Sequence, residues 1–411
     1  MTKSEGASSA GDRIDLLDAL RGFALLGILL VNIRAWSGWF MLSDIERNAL
    51  AGGADGTWWY NFLIVALFEG KFYTIFSFLF GLGFALQLSR LQKRGLEGVA
   101  IFRRRLLILL GFGLLHMSLL WEGDILALYA LLGLLLPLFW NWSDRKLLTA
   151  ALFLILLPIP GFALLHALGI KPDLGLMAVG DRLFIALGGD LAQDKTWLLR
   201  EDWRSFFAWN LSGPPFRFGG FFESWRIPKV LAIMLIGLWA GRRLVAGQLI
   251  ADRKLLTRVM LAGLAIGIPV NVVYGLVGGL GQEDFGRGFA ATVLYAIGVV
   301  PLGLAYAAGF ALLWRSGGAL LAQFAPPGRM ALTNYLAHSL VGIVIFYGVG
   351  LGFYRSIGPW AFSGIALLIF ALQVILSRLW LQRFAQGPLE AIWRRLTYAR
   401  RRRNDEPLAA R

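Results

Sequence analysis

The chain has 411 residues, 57% of them hydrophobic, with 16 Trp, 30 Phe and no Cys, and a mean hydropathy of +0.65. That balance excludes an ordinary soluble globular fold, and the missing thiols exclude disulfides and thiolate metal centres. A formal charge of +15 would suit nucleic acid, but the Lys and Arg stand beside apolar runs. There they read as topology determinants and contacts to anionic lipids of a bilayer, so no nucleic acid partner is expected.

Residues 1–12 are small and polar and read as a disordered lead to a single transmembrane domain over 13–398. The first apolar run, 19–31, follows Asp15, Asp18 and Arg21 and lacks a small-residue cleavage site. It reads as a retained helix, not a signal peptide. The second, 58–88, is interrupted by Glu69, Gly70 and Lys71. Lipid would not tolerate that interruption, so a tilted or broken helix is expected, its polar break facing protein or a wet cavity. Runs at 106–120 and 125–140 flank a polar turn, and a fifth covers 147–168. Residues 169–226 are charged and aromatic, with Pro214 and Pro215, and read as an extracytoplasmic segment with one or two interfacial amphipathic helices. Runs at 228–240, 255–277, 289–314, 333–354 and 360–381 complete about ten spans, before a basic tail at 399–411. The expected fold class is all-α, a polytopic transmembrane helical bundle.

Lys and Arg collect on alternate loops, at 90–105, 145–146, 242–258, Arg315, Arg329 and from Arg378 onward, whereas the opposite short loops hold Arg34, Arg47, Arg287 and Arg355. By the positive-inside rule both termini are cytoplasmic and the turn from Trp121 to Asp124 faces outward. Gly263 with Gly267, and Gly275 with Gly279, read as sites of close helix packing.

The stretch 113–130, GLLHMSLLWEGDILALYA, carries the strongest functional signal. By helical rise His116 lies about 8 Å inside its helix end, and an ionisable group at membrane depth marks a functional site by default. The plainer reading is a His satisfied by a backbone carbonyl or by a Ser on a neighbouring helix. The outer half also collects Asn32, Arg34, Glu69, Lys71, Glu122 and Asp124. If the bundle brings them together, a base flanked by a carboxylate and a cation is the minimum equipment for taking a proton from a hydroxyl. Glu69 and Lys71 could equally form an ion pair at depth, and Asp124 could cap the helix that begins at Ile125. His166, near a helix end, reads as interfacial.

The inner half offers Asp18 and Arg21, spaced for an intrahelical pair, with Arg103, Arg104 and Arg105 at a helix start and Thr333, Asn334, Tyr335 and His338 on a later helix. Clustered Arg at that depth suits the phosphates of a nucleotide-containing donor or of lipids. Three His without an HExxH pattern argue against a metal centre. GxGxxG, GxxxxGK[ST] and GxSxG are missing, so any chemistry must come from intramembrane residues.

The opening RIDLLDALRGFALLGILLVN, residues 13–32, resembles the signature of the YeiB-like family of bacterial inner-membrane proteins of unassigned function. The likeness continues through Lys71-Phe72 and FSFLFG at 76–81, His116, GDIL at 123–126 and Tyr129-Ala130. It resumes at GRMALTNY, 328–335, and closes with GPLE at 387–390, Trp393-Arg394 and Thr397-Tyr398. That family is similar, more distantly, to transmembrane acyltransferases that use a cytoplasmic acyl-CoA, sharing an Asp and Arg on helix one, here Asp18 and Arg21. Where those enzymes carry a His further along that helix, this chain has Asn32.

The resemblance implies a membrane-embedded acyltransferase-like protein of the bacterial inner membrane, with acyl-CoA as co-substrate and no tightly bound cofactor. Arg21, Arg103, Arg104 and Arg105 would hold donor phosphates. His116, supported by Asp124, would deprotonate an acceptor, while Asn32 and Lys71 would steady charge on the carbonyl oxygen. Two other readings stand beside it: a transporter or flippase whose path is lined by the same charges, and a membrane scaffold. A homo-oligomer is compatible with all three.

Overall fold

The computed structural model describes residues 10–404 apart from 96, 281 and 283; most of the expected lead and the end of the expected tail lie outside the described residues. Every regular element among the described residues is helical. In chain order they are α1 (Ala10–Trp36), α2 (Asp44–Ala51), α3 (Ala54–Leu63), α4 (Lys71–Lys93), α5 (Gly98–Leu119), α6 (Leu126–Gly133), α7 (Asp144–Leu156), α8 (Pro158–Ala167) and α9 (Leu174–Ala186). After them come α10 (Trp203–Glu223), α11 (Arg226–Val245), α12 (Arg253–Val277), α13 (Phe285–Leu294), α14 (Val300–Arg315), α15 (Ala325–Arg329), α16 (Ala331–Phe346), α17 (Pro359–Arg383) and α18 (Pro388–Asn404).

Six stretches are long and apolar enough to cross a membrane, and a seventh results if the helices at Leu321–Arg329 and Ala331–Phe346, bent by 85°, count as one broken span. These are candidate spans, and by length and composition alone they number fewer than the ten expected among the described residues. The shortfall has physical causes. Helix α5 has 22 residues but carries Arg103, Arg104 and Arg105, α11 has 20 but carries Arg226, Lys229, Arg242 and Arg243, and the run after the polar turn is split by Pro137 into α6 and a short 3-10 turn.

The expected break in the second run is present. Helix α3 passes into a π-helical turn at Ile64–Phe68, and the chain restarts as α4 after Gly70, whose φ of 84° is left-handed. A Cβ there would also stand 2.6 Å from Val299 Cγ1 and 2.9 Å from Tyr295 Oη. Only glycine meets both demands cheaply.

Small residues set the helix contacts. A Cβ on Gly81 of α4 would overlap the Met234 carbonyl of α11, and one on Gly237 of α11 would overlap the Phe78 carbonyl of α4. These two backbones touch, as small-residue packing between membrane helices allows. Gly263 and Gly267 of α12 meet Pro301 and Leu302 of α14 in the same way, whereas Gly275 packs on Phe62 and Gly279 stands at a left-handed φ of 81° beyond the helix. Helix α18 folds back onto the bundle: Trp393 Nε1 donates to the Arg105 carbonyl at 2.8 Å, and Glu390 accepts from Leu332 and Thr333 N–H at 2.7 and 3.1 Å. A carboxylate thus satisfies open amides at the start of α16 and complements its dipole.

Candidate functional site

Helix α5 ends at Leu119, so His116 sits in its last turn, and the chain reverses through Trp121–Asp124 into α6. This places Asp124 beneath the imidazole. His116 Nδ1 and Asp124 Oδ2 are 2.8 Å apart, and Asp124 Oδ1 accepts from Ala127 N–H at 2.8 Å. The capping role and the His-orienting role of Asp124 therefore coexist, one oxygen each. The turn is clamped from α10, where Arg217 donates from Nε to the Asp124 carbonyl at 2.6 Å and from Nη2 to the Gly123 carbonyl at 2.8 Å.

The other ring nitrogen, His116 Nε2, lies 2.8 Å from Ser339 Oγ of α16. Asp124 holds the proton on Nδ1, which leaves Nε2 to accept from the Ser339 hydroxyl. Ser339, His116 and Asp124 thus form a hydroxyl–imidazole–carboxylate chain of the kind used in acyl transfer, recognised by geometry and not by chain order. All three are buried, at 0%, 1% and 0% exposure. The Tyr335 ring packs edge-on to the imidazole at 5.3 Å.

Two cavities meet near this chain. The first, about 300 Å³, has Arg21, Gln87, Arg105, Arg329 and Glu390 among its lining and is walled mostly by apolar and aromatic side chains such as Phe76, Leu79, Phe102 and Leu109. It adjoins a basic vestibule lined by Arg21, Arg90, Arg94, Arg105 and Tyr398, so this end is the Arg-rich face of the bundle. The second cavity, about 310 Å³, lies at the opposite end and is lined by Asn32, Arg34, Glu69, Tyr73, Arg217, Arg226 and Tyr295. Ile28, Ile125, Tyr129 and Tyr335 line both. These four side chains are the wall between them.

The predicted residues are placed as follows. His116 and Asp124 are together, behind Tyr335 and outside the lining of either cavity. Asn32 lines the second cavity, and Arg21 and Arg105 line the first. Arg103 and Arg104 line neither, nor the vestibule. Lys71 is apart from the pair: its Nζ donates to the Val65 carbonyl at 2.7 Å and lies 5.4 Å from the Tyr274 ring centre. The single chamber expected for Lys71, His116 and Asp124 is therefore not formed. The Glu69–Lys71 ion pair is replaced too, because Glu69 faces Arg34 at 3.5 Å and accepts from Tyr274 at 3.1 Å. Lys71 instead closes the π-helical turn, whose carbonyl would otherwise lack a partner. Asp18 and Arg21 form the intrahelical ion pair, and His166 is exposed, stacked on Phe285 at 4.2 Å.

The sequence singles out no particular Ser, but the plainer reading of His116, a Ser on a neighbouring helix, is what Ser339 supplies.

Fold and site together define an all-helical protein with six or seven candidate membrane spans and a buried Ser–His–Asp chain beside two cavities. Residues 240–400 match the family described as "Protein of unknown function (DUF418)". The chain is 32% identical over 397 residues to the uncharacterized protein YxaH of Bacillus subtilis (strain 168), covering 94% of each. It is 30% identical over 398 residues to the uncharacterized protein YeiB of Escherichia coli (strain K12), covering 93% of this chain and 95% of that protein. A third relative, an uncharacterized 39.9 kDa protein of Bacillus acidopullulyticus, is 30% identical over 394 residues, covering 95% of each. The chain belongs to this YeiB-like DUF418 family.

Proposed function

We propose that the protein transfers an acyl group within the membrane, from an acyl-CoA entering at the Arg-rich face to an acceptor entering at the opposite one. The observation that carries this reading is the shape of the first cavity, basic at its vestibule and apolar in its depth. That is the pattern a phosphate-bearing head with a thioester-linked chain requires. Arg21 and Arg105 hold the donor phosphates, joined by Arg90 and Arg94, and acyl chain and acceptor meet at the wall of Tyr129 and Tyr335. With Tyr335 turned aside, the Ser339 hydroxyl takes the acceptor's proton as it passes its own to His116 Nε2, the ring being oriented by Asp124. The acceptor oxygen bonds the thioester carbonyl carbon, the C–S bond breaks, and CoA leaves as the thiol with that proton. Asn32, on the acceptor side, steadies charge developing on the carbonyl oxygen.

In this reading the Arg-rich face is cytoplasmic, both termini lie there, and ten spans cross the bacterial inner membrane. Incubation of purified protein with labelled acyl-CoA and total lipid extract tests it: a labelled product is expected from wild type and none from His116→Ala. Transfer by His116→Ala at the wild-type rate removes His116 from the mechanism, and no product with any lipid or solute acceptor overturns the reading.

A second reading draws on the same wall. Two cavities of nearly equal volume at opposite ends, separated by a few side chains, also suit a gated path for a lipid or polar solute. It predicts scrambling or uptake in proteoliposomes with the substrate chemically unchanged.

A further inference from the structure

Among the described residues the second cavity is lined by more guanidinium groups than carboxylates. Three guanidinium groups, those of Arg34, Arg217 and Arg226, face it with one carboxylate, that of Glu69. Arg34 is only 5% exposed, and its Nε and Nη1 lack hydrogen-bond partners among the described residues; Glu69 stands 3.5 Å away, too far to satisfy them. Arg226 forms no ion pair among the described residues and lies over the Tyr73 ring at 5.6 Å. Arg217 gives Nε and Nη2 to the turn carbonyls. A neutral donor is added by Asn32.

Guanidinium N–H groups buried as deeply as those of Arg34 and left without partners are costly unless an anion completes them. A guanidinium fork matches phosphate oxygens in pairs, which the point charge of a lysine ammonium cannot do. The volume, about 310 Å³, exceeds that of a lone phosphate and leaves room for what the phosphate is attached to.

We infer that this cavity binds a phosphate-bearing molecule, its phosphate placed between Arg34 and Arg226. The phosphate can be carried by a lipid headgroup or by a free solute. In the acyl-transfer reading this is the acceptor's seat, and that assignment alone rests on that reading. The anion site itself stands on the cavity.

Arginine footprinting on the purified full-length protein reads the site without any acyl donor. Phenylglyoxal labels accessible guanidinium groups, and peptide mass spectrometry reports each position separately, so the Arg21 and Arg105 vestibule is scored on its own. Millimolar inorganic phosphate or short-chain phosphatidic acid is expected to cut Arg226 labelling severalfold, while short-chain diacylglycerol leaves it unchanged. Protection by phosphatidic acid alone identifies a lipid headgroup; protection by inorganic phosphate as well identifies a site open to solutes. Calorimetric titration of Arg226→Gln should show binding weakened by about tenfold or more, since a charge-assisted hydrogen bond is lost. Arg34→Lys, which keeps the charge and loses the fork, should weaken it similarly. Equal labelling of Arg226 with and without both phosphate probes, or equal protection by the uncharged lipid, overturns the site. Protection at Arg226 together with no acyl transfer leaves the anion site intact and removes only its role as acceptor seat.

Discussion

His116 is held at both ring nitrogens, by Asp124 and by Ser339, and substitutions at the two ends should separate orientation from satisfaction. Asp124→Asn keeps the Ala127 cap through its remaining oxygen but disturbs the tautomer. Transfer activity should fall at least about a hundredfold, the scale of general base catalysis, while melting in detergent changes little. Ser339→Ala leaves Nε2 buried without a donor and should lower stability by about 1–3 kcal/mol, read by thermal unfolding. Activity retained in that variant assigns Ser339 to holding the ring; activity lost together with stability retained assigns it to the proton path. The His116–Asp124 pair was legible because the two are 8 positions apart across one polar turn. Ser339 is 223 positions from His116, and a Ser in an apolar helix is too ordinary to stand out. Lys71 was misplaced because spacing says that a charge lies at depth but not which carbonyl it faces.

At the level of elements, the break between α3 and α4 was readable from three residues, Glu69, Gly70 and Lys71, that no lipid-facing helix would carry. Gly70→Ala should be destabilising by about 1–2 kcal/mol for the left-handed backbone alone, with the approach to Tyr295 and Val299 adding to it; the measurement is the melting temperature of the purified variant. Outside the spans, α2 begins with a capping box in which Ser43 N–H and Oγ bond Glu46 Oε2 at 2.7 and 2.8 Å. Arg355 Nη2 donates to Glu46 Oε1 at 2.7 Å. These bonds, the Ser43 backbone N–H first, hold the Glu46 carboxyl below its usual range. A carboxyl whose folded pKa is depressed contributes stability that is present above the unfolded value, about 4.3, and disappears as pH falls through the folded value. Glu46→Gln should therefore lower the melting temperature at pH 7, with the gap to wild type closing as the buffer approaches pH 3. A gap constant from pH 7 to pH 3 would show that the carboxylate charge plays no part.

For the whole molecule, residues from the first and last blocks that carry the family resemblance meet at one end. Arg21, Gly328, Arg329, Glu390 and Trp393 all line the first cavity, although they come from the two extremes of the chain. Apolar run lengths made the bundle legible, whereas the cavities were not, since a void is a property of helix offsets that no periodicity encodes. The span count also depended on Arg-bearing helices such as α5 and α11, whose charges make them look unlike lipid-facing segments. Arg21→Gln and Arg105→Gln should each raise the KM for acyl-CoA severalfold with kcat less affected, and the wild-type KM should rise with salt, because charge-based holding of phosphates is screened. Reporter fusions after 404 and within 188–202 should report opposite sides of the membrane.

The clamp that Arg217 places on the Gly123 and Asp124 carbonyls bears on how the protein is made. Helix α5 and its turn emerge from the ribosome well before α10, and Ser339 follows later still. During synthesis His116 must wait in the bilayer with Asp124 as its first companion, the turn unbraced until Arg217 arrives and the imidazole incomplete until α16 inserts. Chains truncated before α16 should therefore be preferred targets for membrane proteases, with degradation slowing once that helix is included.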